Sequence, residues 1–138
     1  MCQYTEALLD HFQSPRNAGE MCCPDAVGNS SLEGRAPRMT IFVRARRGVV
    51  MRGMFQTFGC GVAIASCSAL TELVLARSIT DCLSLGADDI IDVLGEIPSS
   101  RIFCADLAIR ALRDALDKLP PALLIADSDR GQSGGEPL

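Results

Sequence analysis

The stretch at residues 62–77 constrains the fold most. It contains no proline and no internal glycine, and until Thr71-Glu72 it is small or apolar on nearly every side, through Ala63, Ala65, Ser66, Cys67, Ser68 and Ala69. This spacing predicts a helix. A helix with so little polar face is stable only when other elements, or a partner, cover it. The rest of the chain is therefore expected to pack around it. With 138 residues, 48% of them hydrophobic and 22% charged, the chain has material for one packed domain and not for two.

Residues 38–58 supply a covering layer. Met39, Ile41 and Val43 alternate with Thr40, Phe42 and Arg44. Arg46-Arg47-Gly48 offers a turn, and a strand-like composition resumes over 49–58, so a β-hairpin is expected. A third strand before Pro37 is only weakly signalled, and residues 17–31, with the vicinal pair Cys22-Cys23, read as loop. Residues 3–13 carry apolar side chains at helical spacing and stop at Ser14-Pro15. Thr80 can cap a short helix that Gly86 ends, and residues 88–94 make another, closed by Gly95 and Pro98. Residues 101–119 form the clearest helix. Cys104, Ala108, Ala111, Leu112, Ala115, Leu116 and Leu119 make its apolar stripe, and Asp106, Arg110, Asp114 and Lys118 make an i,i+4 ladder of alternating sign. The expected organisation is one domain over residues 1–120 and a flexible tail over 121–138, in which 122–126 can add a last contact.

A net charge of −4 argues against duplex nucleic acid as the partner. No apolar run reaches the length that spans a bilayer, and the first residues show no export signal, so a cytoplasmic location is expected. The odd count of seven cysteines then argues against a disulfide framework, and no Cys-x-x-Cys pair suggests a zinc ribbon. His11, the only histidine, reads as packed or capping. Six arginines and no acids between Arg35 and Arg52 read as a solvated strand face, or as a surface for docking an acidic protein.

Cys60 is the most pointed residue. Glycine on both sides lets the backbone turn sharply or approach a bulky ligand, and the helix that follows aims its positive end at the sulfur. A tight strand-to-helix corner is the alternative reading. Cys104 also lies at a helix start, but it continues an apolar stripe and reads equally as core. Cys67, about 10 Å further along the helix from Cys60 at 1.5 Å per residue, is too far to share one metal with it and reads as core.

The segment Phe55-Gln56-Thr57-Phe58-Gly59-Cys60-Gly61 and its continuation Ala63-Ile64-Ala65-Ser66 resemble the iron–sulfur scaffold family of IscU and the N-terminal domain of NifU. So do His11-Phe12, the turn Ser14-Pro15-Arg16-Asn17-Ala18-Gly19, and Arg101-Ile102-Phe103-Cys104 before a long helix. The resemblance spans about residues 3–119. It implies an α+β fold in which helices pack against a three-stranded antiparallel sheet. It further implies a [2Fe–2S] cluster or iron (zinc in some members), sulfur delivered by a cysteine desulfurase, and apo iron–sulfur proteins as clients. Matched position by position, Cys60 and Cys104 are ligands, Cys104 being the persulfide acceptor. Glu33 stands where a cysteine ligand is expected, Arg35 where an aspartate is, and Phe103 where a histidine is. Two thiolates per chain imply that a second copy in a homodimer, a small thiol or a partner completes the shell. The resemblance thus implies a scaffold or carrier and no turnover enzyme. Its alternatives are a paralogue without cluster that binds the desulfurase as a regulatory module, and a zinc-dependent sulfurtransferase.

Overall fold

The structure, a computed structural model, describes residues 4–124. Helix α1 (Glu6–Gln13) begins at Thr5, whose side chain accepts the Leu8 N–H at 3.0 Å and donates to the carbonyl of Leu94. Three strands follow, β1 (Ala26–Leu32), β2 (Arg35–Arg46) and β3 (Val49–Phe58), forming an antiparallel meander in the order β1-β2-β3. Both connections are two-residue turns with positive φ at each residue, Glu33-Gly34 and Arg47-Gly48. That geometry matches the right-handed twist of the flanking strands. Along β2, Pro37, Met39, Ile41, Val43 and Ala45 are buried, while Arg38 and Arg46 are exposed. The arginine-rich stretch thus supplies solvent-facing strand positions as well as turns.

Helices α2 (Gly61–Val74) and α5 (Ile102–Asp117) lie across one face of the sheet, α2 over β3 and α5 over β1 and β2. Helix α2 buries Val62, Ala63, Ala65 through Thr71, and Val74, as its near absence of a polar face requires. The apolar stripe of α5 is buried throughout, and its outer face carries the Asp106–Arg110 and Asp114–Lys118 ion pairs, each at 3.1 Å. Helices α3 (Ile79–Leu83) and α4 (Ala87–Leu94) connect α2 to α5. Ser78, and not Thr80, caps α3 by accepting the Asp81 N–H, and Gly86 is the N-cap of α4. A 3-10 turn at Ser99–Arg101 leads into α5, and another at Pro121–Leu124 follows it, where the Leu123 carbonyl accepts from Gly48 N–H. Most of the expected tail, 125–138, lies outside the described residues. Among the described residues no helix is long and apolar enough to cross a membrane.

Strand β1 is the weakly signalled third strand before Pro37, and all but its last residue falls within the segment that local pattern assigns to loop. Its Gly28, Asn29, Ser30 and Ser31 carry little strand propensity, but their polar groups make specific bonds. Asn29 N–H donates to the Asp114 carboxylate at 2.9 Å, Ser30 Oγ donates to the Leu107 carbonyl at 2.7 Å, and Thr40 Oγ1 donates to Asn29 Oδ1 at 2.8 Å. At Gly28 a Cβ would lie 2.1 Å from the Ala111 carbonyl oxygen. Only glycine lets α5 rest directly on this strand.

The segment before β1 starts on the free edge of β3, where Ala18 bridges Phe55, and ends beside β2, where Asp25 N–H donates to the Val43 carbonyl. Between them Gly19 touches Met54, while Met21 and Phe42 are buried apart from the main core. Successive strand residues face opposite ways, so Phe42 points away from the helices and this segment covers it.

Candidate thiol site at the start of α2 and α5

Strand β3 turns into α2 through Gly59-Cys60-Gly61, and contacts dictate both glycines. A Cβ at Gly59 would lie 2.8 Å from Pro37 Cβ and 3.0 Å from Ala63 Cβ, and one at Gly61 would lie 3.0 Å from the Phe12 ring. Cys60 between them is extended (φ −82°, ψ 179°) and forms the N-cap of α2, its carbonyl accepting from Ile64 N–H at 3.2 Å. Its side chain makes no capping bond, so the sulfur is left for another partner.

That partner is Cys104, in the first turn of α5. The two Sγ atoms are 3.9 Å apart across 44 residues of chain. Two thiolates on one tetrahedral metal, each about 2.3 Å from it, would stand about 3.8 Å apart, so this separation suits a single metal ion with little movement. Of the pair only Cys60 has access to solvent, Cys104 being fully buried.

Burial pushes the Cys104 thiol up to about 12. The Cys60 sulfur beside it adds to the rise and the Arg101 guanidinium opposes it. The helix-start argument for a thiolate at residue 104 is thus outweighed by desolvation. Burial also raises Cys67, further lifted by the nearby Cys104, and Cys67 packs in the core.

The other sequence-derived positions do not join this pair in a ligand group. Glu33 is exposed in the β1–β2 turn with φ 52°, and Arg35 is exposed where β2 begins. Phe103 is half-buried against the core. Among the described residues no three histidine, cysteine, aspartate or glutamate side chains gather as a metal-ligand group.

His11 is buried, its Nδ1 sharing a 2.7 Å hydrogen bond with Ser68 Oγ on α2 and its Nε2 lying 3.6 Å from Glu72 Oε1. Ser68 Oγ also accepts Arg16 N–H at 2.9 Å, and Asn17 Nδ2 donates to Thr71 Oγ1 at 3.1 Å. These bonds fasten α1 and the turn after it to the only polar stripe of α2, which seats Phe12 on Gly61. Sequence reasoning missed this fastening. The signal available was Ser68, Thr71 and Glu72 at i, i+3 and i+4 on an otherwise apolar helix.

The profile of the NifU-like N terminal domain matches residues 3–122. Among curated relatives, the chain is 39% identical over 116 residues to the iron–sulfur cluster assembly scaffold protein IscU of Aquifex aeolicus, covering 83% of this chain and 74% of that protein. It is 35% identical over 113 residues to iron–sulfur cluster assembly scaffold protein IscU 1 of Archaeoglobus fulgidus, covering 82% and 74%. Among solved structures, a NifU-like N-terminal protein from Brucella abortus superposes with a TM-score of 0.70 at 17% identity, covering 83% of this chain and 92% of that one.

Proposed function

The chain belongs to the family of NifU-like N-terminal domains, and on that premise we propose that it is a scaffold of iron–sulfur cluster assembly that holds iron or a nascent [2Fe–2S] cluster between Cys60 and Cys104. The observation that carries this reading is the 3.9 Å separation of the two sulfurs. The cluster is cargo here, received and passed on to apo client proteins. Sulfur arrives as a persulfide from a cysteine desulfurase, and thiol–persulfide exchange needs an accessible sulfur; Cys104, the acceptor that the resemblance implies, is buried, so Cys60 receives the sulfur in its place. Two irons take four ligands, and Glu33, Arg35 and Phe103 leave this chain with two thiols. A second copy of the chain, a small thiol or the recipient protein completes the shell.

Anaerobic incubation with ferrous iron, cysteine and a desulfurase tests the reading. Visible charge-transfer absorption should grow in, with Cys60→Ser and Cys104→Ser each abolishing it. A protein that stays colourless and iron-free after this treatment would overturn the cluster-holding role. The half-buried Phe103 and the exposed Arg35 favour a second reading, a paralogue that binds the desulfurase without carrying a cluster. Under that reading the Cys60→Ser/Cys104→Ser protein would still capture the desulfurase while the wild type loads no metal. Zinc near one per chain in protein purified without added metal would instead revive the sulfurtransferase reading.

A further inference from the structure

The pair at Cys60 and Cys104 leaves Cys22 and Cys23 without a role. Both are exposed, and their Sγ atoms lie 3.6 Å apart. Neighbouring side chains on an extended chain point to opposite sides. Here they converge because Cys23 has φ +56°, a left-handed conformation uncommon for a residue with a side chain. Arg44 on β2 holds the backbone in that shape, its Nη2 donating to the Cys22 carbonyl at 2.5 Å and to the Cys23 carbonyl at 3.1 Å. Side-chain convergence, exposure and a clamped backbone make a dithiol whose geometry is set before any ligand arrives.

The separation selects the ligand. With bonds of about 2.3 Å to each sulfur, 3.6 Å subtends about 103° at the bridging atom, a bent or tetrahedral angle. A linear two-coordinate ion would need about 4.6 Å between the same sulfurs. We propose that Cys22 and Cys23 form a second, solvent-facing dithiol site for a thiophilic centre that holds two sulfurs at a bent angle, with trivalent arsenic, which can be held by two protein sulfurs, as its occupant, since among the described residues no third ligating side chain gathers there for a four-coordinate metal. Condensation with an arsenoxide breaks the As=O bond and two S–H bonds, forms two As–S bonds and carries the oxygen and both protons away as one water, with no change in oxidation state. The site is independent of the Cys60 pair. Arg44, beside Cys22, and Arg38, paired with Phe58 just before Cys60, are six residues apart along β2, about 20 Å at 3.3 Å per residue.

The probe is phenylarsine oxide added to the reduced full-length chain. In the Cys60→Ser/Cys104→Ser variant, one arsenical per chain should bind in a form that excess glutathione does not remove and dithiothreitol does. Adding Cys22→Ser or Cys23→Ser should abolish it. Peptide mapping of the wild type should place an adduct on residues 22–23, a readout that needs no variant to fold and does not depend on cluster binding. An adduct that survives Cys23→Ser, or none at residues 22–23 in the wild type, would overturn the proposal.

Discussion

Gly28→Ala tests the packing that places Cys104. The new Cβ would lie 2.1 Å from the Ala111 carbonyl oxygen and 2.2 Å from the Ala115 nitrogen, both backbone atoms of α5 that no side-chain rotation can move away. Bringing the closer contact out to an ordinary distance of about 3.3 Å requires α5 and β1 to part by about 1.2 Å. Close-packed contacts lose a quarter to a half of their attraction over a gap of about 0.5–1 Å. Leu107, Ala108, Ala111, Leu112 and Ala115 all lie on the stripe that would be lifted. Overpacking of this kind costs about 1–3 kcal/mol where side chains can adjust, and backbone against backbone puts Gly28→Ala at or above the upper end, about 3 kcal/mol. For a domain of this size that lowers Tm by about 10–15 °C, read by thermal circular dichroism. Gly86→Ala is the control, with negative φ and no atom within 4 Å of its would-be Cβ, so it should cost only the exchange of glycine for alanine at a helix N-cap, about 1 kcal/mol or less. If Gly28→Ala melts as Gly86→Ala does, α5 does not rest on β1 and the placement of Cys104 fails with it.

Two pH dependences follow from the charged forms the fold disfavours. Burial, and next the Arg16 guanidinium, hold His11 below its ordinary 6.5 against the opposing pull of Glu72 and Asp10. The unfolded chain therefore takes up a proton there before the folded one does, so stability is intact above about pH 6.5 and falls as the pH drops through the window beneath it. Urea midpoints from about pH 7 to about pH 5.5 should decline for wild type and flatten for His11→Gln; equal slopes would refute the assignment. Cys104, raised to about 12, must surrender its proton to ligate a metal. Affinity for a divalent ion such as cobalt, titrated by its thiolate charge-transfer band, should therefore rise about tenfold per pH unit near neutrality from this proton alone. A pH-independent affinity would show that Cys104 is not a ligand.

The first strand of the hairpin and α5 were legible through their periodicity, and α2 because residues 62–77 run without proline or glycine. Strand β1 was not, and the reason is specific. Gly28, Asn29 and Ser30 serve contacts with α5, 77 to 85 residues away, and local patterns do not register such partners. Glu33 illustrates the same limit. Its neighbour Gly34 and the positive φ of both residues mark a tight turn, and the sequence Leu32-Glu33-Gly34-Arg35 between two strands carries that signal once β1 is known to exist.

The convergence of Cys60 and Cys104 was open to the family resemblance and closed to spacing, because it depends on two packings set elsewhere. Helix α2 starts where it does because glycines 59 and 61 admit Pro37 and Phe12, and Phe12 is seated by the His11–Ser68 bond. Helix α5 starts where it does because Gly28 admits its backbone. The two sulfurs are therefore brought to 3.9 Å by separate contacts of α2 and of α5, with neither cysteine contributing to its own placement beyond filling its position. The pair persists whatever stands at other positions of the surface, because the interactions that hold it together are those of the core.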